Sequence, residues 1–290
     1  MEAGLGGGGV SGGVPEAVVI GAGPAGAGAA LRLAQRGVSA WLVDRRALPR
    51  EKVCGGCLHR RGAARLGRWG VGEAVLEAAG AERLTRSEVV AGGRTLAWPR
   101  GHGWSVDRAA FDFALVRQGV ERGVTLRDRT AARVQWEADG GWSVRLRKPG
   151  GVEEALRPTW VLVADGLGGS ALTGERSERS AGFAVRRGVG SYVGAGVVLR
   201  GSIVDEGRLL AAGTVRMFVG EGGYVGAVRA NAVPGRSIEE DGVELAAAMR
   251  PDLLKACGGA GAAAVRLLED AGADAGLVEA VARRPEAWRV

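Results

Sequence analysis

The segment from Ala17 to Asp44 constrains the fold of this 290-residue chain more than any other part of it. An apolar run, Ala17-Val18-Val19-Ile20, leads into Gly21-Ala22-Gly23-Pro24-Ala25-Gly26, which has the spacing Gly-x-Gly-x-x-Gly. A helical pattern of alanine and leucine follows, and a second apolar run over residues 38–43 ends at Asp44. A strand, a glycine turn, a helix and a second strand in this order predict a βαβ unit of a parallel α/β sheet.

Each glycine of the turn has its own physical role. Gly21 permits the tight turn, Gly23 lets the backbone approach a pyrophosphate, and Gly26 lets the helix lie close to the strand. A carboxylate at the end of the second strand can accept hydrogen bonds from both hydroxyls of an adenosine ribose. We therefore predict a dinucleotide site formed by Gly21, Ala22, Gly23, Pro24, Ala25, Gly26, Asp44 and the adjacent Arg45.

The glycine spacing alone is a weak signal in a chain with 52 glycines. Residues 7–12 match it too, but no strand precedes them, so we assign residues 1–14 to a flexible glycine-rich terminus. The alternative for the second match is a packing turn, with Asp44 as an ordinary surface carboxylate. The strand, helix and terminal aspartate around it favour the dinucleotide site.

Composition argues against several functional classes. The 39 basic residues give a net charge of +7 but form no block with interleaved aromatics, so we predict no nucleic-acid partner. The apolar residues 17–34 contain Pro24 and Arg32, so we predict neither an export signal nor a transmembrane segment. Three cysteines are too few for a disulfide framework, which fits a cytoplasmic protein. Two histidines offer little to a metal site or a hydrolytic triad.

The remaining patterns alternate between helix and strand. Periodicity predicts helices within residues 63–79 and 105–123, strands within 88–98, 124–126, 131–137 and 142–147, and a core strand over residues 160–164. Residues 183–229 are predicted to be mainly β, and the alanine-rich tail from Val243 to be helical. The pattern indicates a sheet-bearing insertion between pieces of a nucleotide-binding domain.

Four further motifs stand in order along the chain. They are Lys52-Val53-Cys54-Gly55-Gly56, Asp107-Arg108-Ala109-Ala110-Phe111-Asp112, Asp165-Gly166 followed by Ser170, and Gly222-Gly223-Tyr224-Val225-Gly226. With the glycine turn, they resemble the FAD-dependent oxidoreductases of the para-hydroxybenzoate hydroxylase fold. The geranylgeranyl reductase-like and flavin halogenase-like branch is the most similar, and the resemblance covers nearly the whole chain.

The resemblance implies FAD as the cofactor and a role for each motif, with Gly222 to Gly226 in the strand of the inserted domain that faces the flavin. The segment Cys54, Gly55, Gly56 would lie beside the isoalloxazine, although a plain loop of small residues is the alternative. Arg108 would bind near the pyrophosphate or ribityl chain, the alternative being a salt bridge with Asp107 or Asp112. Asp165 and Gly166 would support the glycine turn from the neighbouring strand. NAD(P)H is a candidate electron donor.

The resemblance also implies a domain division. An α/β, Rossmann-like FAD-binding domain, with three layers and a parallel sheet, carries an inserted, mainly β substrate domain. The expected boundaries are 15–86 and 104–170 for the FAD-binding domain, 87–103 and 171–235 for the substrate domain, and 236–290 for a helical C-terminal segment.

The implied function is that of a flavin-dependent reductase acting on a small apolar, isoprenoid-like substrate. A flavin monooxygenase or halogenase is the alternative, and no catalytic residue can be named. The pair Cys54 and Cys57 raises a disulfide-reductase alternative, but such an enzyme needs a second nucleotide-binding motif and none follows in the sequence. A zinc ion would find only two of its four ligands in this pair, so we predict no metal. Peripheral membrane contact and oligomeric state stay open.

One departure from the family is the lack of its later strand ending in Gly-Asp. Residues 271–276 resemble that motif only faintly, because a helical pattern precedes them. We therefore expect Trp288-Arg289-Val290 to begin an interrupted strand and the chain to be truncated. In that case FAD retention would be weak, or the chain would be an inactive nucleotide-binding remnant.

Overall fold

A computed structural model describes residues 13–99, 103–151, 153–172, 188, 190–200, 210–230 and 242–290. Predictions for residues 1–12, for His102 and for the region around Phe183 lie outside these ranges. The chain divides into two compact units: unit 1 comprises Met1–Arg50 and Asp112–Arg186, and unit 2 comprises Glu51–Phe111 and Arg187–Val290. The domain boundaries expected from the sequence stay a prediction.

The described chain contains sixteen strands and seven α-helices. The strands are β1 Ala17–Ile20, β2 Ala40–Val43, β3 Cys57–His59, β4 Glu82–Leu84, β5 Arg86–Ala91, β6 Arg94–Trp98, β7 Gly103–Ser105, β8 Thr125–Arg127, β9 Ala131–Trp136, β10 Trp142–Arg147, β11 Glu153–Leu156, β12 Trp160–Val163, β13 Val193–Arg200, β14 Thr214–Gly220, β15 Gly223–Ala230 and β16 Gly242–Met249. The helices are α1 Pro24–Ala34, α2 Arg60–Arg68, α3 Gly72–Ala78, α4 Arg108–Val120, α5 Pro251–Ala256, α6 Ala260–Ala271 and α7 Ala275–Ala282.

Unit 1 contains the predicted βαβ unit. Strand β1 lies between β2 and β12 in a parallel sheet of order β12-β1-β2-β8, and all four of its residues are buried. Helix α1 packs against this sheet, while Val18 and Trp41 of its other face pack against Val144 and Leu146 of the antiparallel sheet β11-β10-β9. The three layers are therefore helix, parallel sheet and antiparallel sheet, as predicted for an α/β domain of this class.

Strand β12 forms as predicted, but it is not a core strand. It lies at an edge of the parallel sheet, where no strand of the described chain pairs with its outer side, and Trp160 is 63% exposed. The apolar run over residues 160–164 predicts a core strand. Periodicity within a strand carries no information on its neighbours, so this prediction was wrong.

Unit 2 is built on a six-stranded sheet of order β13-β16-β15-β14-β5-β6. One face packs against the C-terminal helices: Leu245 and Phe218 of the sheet belong to the same buried cluster as Leu267 and Val281. At the β13 edge, Arg289 exchanges two backbone hydrogen bonds of 2.9 Å with Gly196. A mainly β unit in addition to the α/β unit confirms the predicted fold class.

The prediction of helix from Val243 onward is wrong for its first residues. Gly242–Met249 forms β16, paired along its whole length with β13 and β15 in the middle of the sheet. Its four alanine and leucine residues favour a helix in isolation, but burial between two strands overrides that propensity. The helices predicted for the tail begin only at Pro251. No described helix has the length and apolar character needed to cross a membrane.

Candidate functional site

The glycine turn of unit 1 is held against β12. Gly21 has φ +102°, which disfavours a side chain, and an ideal Cβ there would lie 2.4 Å from the Ala164 carbonyl oxygen. The same Cβ would lie 2.9 Å from the Cα of Asp165, so the Asp165-Gly166 segment borders the turn. The Asp165 carboxylate accepts a 2.8 Å hydrogen bond from the Ala171 N–H and so braces its own loop.

Gly26, the third glycine of the turn, leaves the least room for a side chain. An ideal Cβ on Gly26 would lie 1.8 Å from the carbonyl oxygen of Gly21, closer than any real contact. Gly23 is the extended N-cap of α1, and Pro24 occupies the first helical turn, where a missing N–H costs nothing. The turn therefore presents bare backbone and the N-terminal N–H groups of an eleven-residue helix, the arrangement that binds phosphate.

The carboxylate of Asp44 is buried against this turn, with 6% of the residue exposed. Its Oδ2 accepts hydrogen bonds from the Ala22 N–H at 2.9 Å and from Arg50 Nη2 at 2.8 Å, and its Oδ1 accepts one from the Arg46 N–H at 3.0 Å. Burial raises the pKa of Asp44, but the Arg46 and Ala22 N–H groups and the Arg50 guanidinium together lower that pKa below its usual 3.8. Asp44 is therefore an anion fixed in place.

The contact with Arg50 limits what Asp44 can accept. A carboxylate has about four acceptor positions, and three are occupied, so one remains on Oδ1 for a ribose hydroxyl. Binding both hydroxyls, as the sequence predicts, requires Arg50 to leave Oδ2. The buried Nε of Arg50 donates to no described group. Sequence reasoning missed Arg50; its position six residues after Asp44, in the basic loop, was the only signal.

The predicted flavin-ring segment lies in unit 2 and packs on the sheet face opposite the helices. An ideal Cβ on Gly55 would lie 3.8 Å from Cβ of Ala246, and one on Gly56 would lie 2.4 Å from Glu244 Oε2. Gly56 also has φ +58°. Both the backbone conformation and the nearby carboxylate therefore require glycine at this position.

A cleft of about 210 Å³ separates this loop from β13 and β16. Its lining includes Cys54 and Glu244, and Glu244 is 7% exposed. Sequence reasoning assigns no role to Glu244, because the alanine-rich composition of the segment around it predicts a helix. The alternation of Val243, Leu245, Ala247 and Met249 toward the core was the signal that puts Glu244 on the other face.

Arg108 is the first residue of α4 and is half-buried. The preceding Asp107 caps the helix, since its Oδ1 accepts a 2.8 Å hydrogen bond from the Ala110 N–H. This explains Asp107 as a local helix signal. The assignment of Arg108 to the cofactor stays a prediction.

The thiol of Cys57 has a raised pKa, although the residue as a whole is exposed. Desolvation of the thiol, followed by the nearby Cys54 and Glu244 charges, raises the pKa of Cys57 to about 11. Attack on a disulfide needs the thiolate, and a working Cys-x-x-Cys pair lowers a thiol pKa instead. The raised pKa supports the prediction that Cys54 and Cys57 are not a redox pair. The described residues also contain no cluster of three or more His, Cys, Asp or Glu that could hold a metal.

We expect Cys57 to react with iodoacetamide with a pH midpoint near 11, so that it is almost unreactive at neutral pH. Mass spectrometry of the peptide containing Cys57, after labelling the folded chain across the pH range, measures this. Glu244→Gln should lower the midpoint, because it removes one of the charges that disfavour the thiolate. A midpoint below pH 8, or a reversible disulfide with Cys54, would contradict this prediction.

Residues 15–186, more than half of the chain, match the family described as FAD binding domain. The chain belongs to this family. FAD is therefore the cofactor of the chain, which is a flavoprotein of a family of flavoenzymes. No curated protein is similar enough in sequence to match the chain.

Solved structures with the same fold come from several flavoproteins. A flavoprotein/dehydrogenase from Cytophaga hutchinsonii superposes with TM-score 0.68 at 16% identity, over 92% of this chain and 63% of its own. A myxobacterial chondrochloren halogenase superposes with TM-score 0.61 at 20% identity, over 84% and 54% of the two chains. A geranylgeranyl bacteriochlorophyll reductase-like protein from Thermoplasma acidophilum gives TM-score 0.62 at 18% identity, over 80% and 56%. The chain thus spans less than two thirds of the length of each.

The adenosine half of FAD fits the residues of unit 1. Glycine at positions 21 and 26 lets the turn pack closely on β12 and α1, because a Cβ at either position would fall on backbone atoms. The N–H groups at the start of α1 would then face a pyrophosphate. Asp44 is anionic with one acceptor position open, and the orphaned Nε of Arg50 offers a further donor for a ligand oxygen. Gly21 to Gly26, Asp44 and Arg50 are therefore the residues of unit 1 that would hold the ADP moiety.

Proposed function

We propose that the chain is an FAD-dependent reductase acting on an apolar, isoprenoid-like substrate. The observation that carries the proposal is the open face of the six-stranded sheet in unit 2, beside the loop Cys54 to Gly56. Membership of the FAD binding domain family supports the oxidoreductase class. When bound, reduced FAD supplies hydride equivalents, and the protein orients the ring and substrate and provides the proton.

One row of small and apolar residues crosses that open sheet face. Strand register places Gly196 beside Ala246, and Ala246 beside Gly226, with Met217 next along the same row. An ideal Cβ on Gly226 would lie 3.1 Å from the Met217 sulfur, which confirms that these residues share one side. A surface of glycine, alanine and methionine offers contact area without hydrogen-bond donors, and therefore suits a hydrocarbon substrate.

Glu244 is the buried carboxyl group on this face, and we assign the proton of the reduction to it. It borders both Gly56 and the cleft, and a general acid has to lie within hydrogen-bond reach of the atom it protonates. In this assignment the loop Cys54 to Gly56 positions the ring and Glu244 holds the proton.

The test is anaerobic reoxidation of the reduced, FAD-loaded chain by a polyprenyl alcohol. We expect substrate-dependent reoxidation without oxygen, and a loss of about 100-fold or more in its rate in Glu244→Gln with FAD affinity unchanged. The control is Glu51→Gln, which changes an exposed carboxylate of the same cleft that pairs with Arg289 at 2.7 Å. An equal loss in both variants would remove the role assigned to Glu244.

The same FAD-loaded preparation distinguishes the proposed reductase from two alternative functions. Reoxidation that requires O₂ and yields an oxygenated or halogenated product would replace the reductase with a monooxygenase or halogenase. A folded chain that binds FAD or ADP but shows no substrate-dependent reoxidation would be an inactive nucleotide-binding remnant instead.

A further inference from the structure

A second cleft, of about 340 Å³, lies in unit 1. Four cationic side chains line it: Arg45 at the end of β2, Arg129 in the turn before β9, and Arg147 and Lys148 at the end of β10. The turn Gly150-Gly151 closes one side. None of the glycines at 21–26 lines this cleft, which therefore shares only Arg45 with the predicted dinucleotide site and does not include the proposed pyrophosphate cradle.

The positive charge of this cleft is not neutralised by the described part of the protein. Each of the four cations is exposed, and none forms an ion pair there. Glu153 is the cross-strand neighbour of Arg147, and no ion pair between the two is found among the described residues. Asp44, which precedes Arg45, is paired with Arg50 instead. Four like charges around one cleft give it a positive potential, which favours binding of an anion among them. The cleft therefore favours a ligand that carries more than one negative charge.

The backbone around Arg129 is held in an unfavourable conformation. Arg129 has φ +49°, the only described non-glycine residue with a positive φ. Two backbone hydrogen bonds fix its turn to the segment after β2. The Thr130 N–H donates to the main-chain carbonyl oxygen of Asp44 at 2.8 Å, and the Arg129 N–H donates to that of Arg46 at 3.3 Å. Such outliers persist where the surroundings enforce them, and they concentrate at ligand sites. Here the effect is to bring the Arg129 turn alongside Arg45.

We propose that this cleft binds the phosphate groups of a small phosphorylated molecule, at a site separate from the FAD pyrophosphate. Three of its four cations are guanidinium groups, whose planar forks match phosphate oxygens in pairs. A phosphate monoester or diphosphate carries the multiple charge that the cleft requires. The volume is that of a small-molecule pocket. This proposal does not depend on the reductase activity proposed above.

The test is calorimetric titration of the full-length chain with inorganic pyrophosphate, in the presence and absence of saturating FAD. We expect saturable binding that FAD does not displace. Arg147→Gln should weaken it at least tenfold, the effect of losing a charge-assisted hydrogen bond. Lys148→Gln, another exposed position of the same cleft, should weaken it in the same direction.

The matched control is Arg145→Gln. Arg145 is exposed on the same strand and the same face as Arg147, but does not line the cleft, and we expect less than a twofold change. Equal weakening by Arg145→Gln and Arg147→Gln would mean diffuse charge and overturn the proposal. Displacement by FAD would place the pyrophosphate in the glycine turn, and the absence of saturable binding to the folded chain would also overturn it.

Discussion

Gly26→Ala is expected to lower the affinity of the chain for FAD by more than 100-fold. The new Cβ would lie 1.8 Å from the Gly21 carbonyl oxygen, and both atoms belong to backbone that cannot rotate away. Either α1 moves off β1 or the turn opens, and each displaces the N–H groups that would face the pyrophosphate. Overpacking of this kind costs about 1–3 kcal/mol in stability, and the lost phosphate contacts add to the effect on binding.

Flavin fluorescence titration of the refolded apoprotein measures this change. Gly67→Ala is the matched control, because Gly67 lies inside α2 and an ideal Cβ there has no atom within 4 Å. Alanine at that helical position should leave FAD affinity unchanged and stabilise unit 2 by up to about 1 kcal/mol. If the Gly26→Ala chain, shown to be folded, binds FAD as tightly as wild type, the glycine turn is not the pyrophosphate site.

The local part of the fold was predictable from sequence because its signals are local. The strand Ala17–Ile20, the helix from Pro24 and the turn at Gly21 each depend on residues within about twenty positions of one another. Because a side chain at Gly21 or Gly26 would clash with backbone, the turn requires glycine at both positions, and this requirement appears in the sequence as the glycine spacing. The hairpin of β9 and β10 around Asp139 was predictable for the same reason.

Features that depend on distant pairing could not be predicted. Burial of Glu244 follows from its place in β16 between β13 and β15, and an alanine-rich run has no local preference for that position. The exposed edge of β12 depends on which strands pair with it. The cationic cleft joins residues that are about one hundred positions apart, Arg45 and Arg147. Each of these arises from long-range register, which periodicity does not encode.

Asp44→Asn is expected to destabilise unit 1 by about 3 kcal/mol at neutral pH. The substitution leaves Arg50, which is only 13% exposed, without its anion, and breaking a buried ion pair is costly because the remaining charge stays buried. It also removes the acceptor predicted for the ribose, so FAD affinity should fall at least tenfold. Urea unfolding and FAD titration measure the two effects separately.

The pH dependence identifies the carboxylate as the source of the stability. Because folding lowers the pKa of Asp44, the charged form is favoured in the folded state; its contribution is complete above the ordinary pKa of 3.8 and is lost as pH falls through the lower folded pKa. The stability difference between wild type and Asp44→Asn should therefore shrink below pH 3.8. Asp139→Asn is the control: Asp139 also pairs with an arginine, Arg157 at 2.8 Å, but both side chains are exposed, so its effect should be much smaller. Equal losses in the two variants, or a difference that does not change with pH, would mean that the burial of Asp44 and its ion pair with Arg50 do not stabilise the glycine turn.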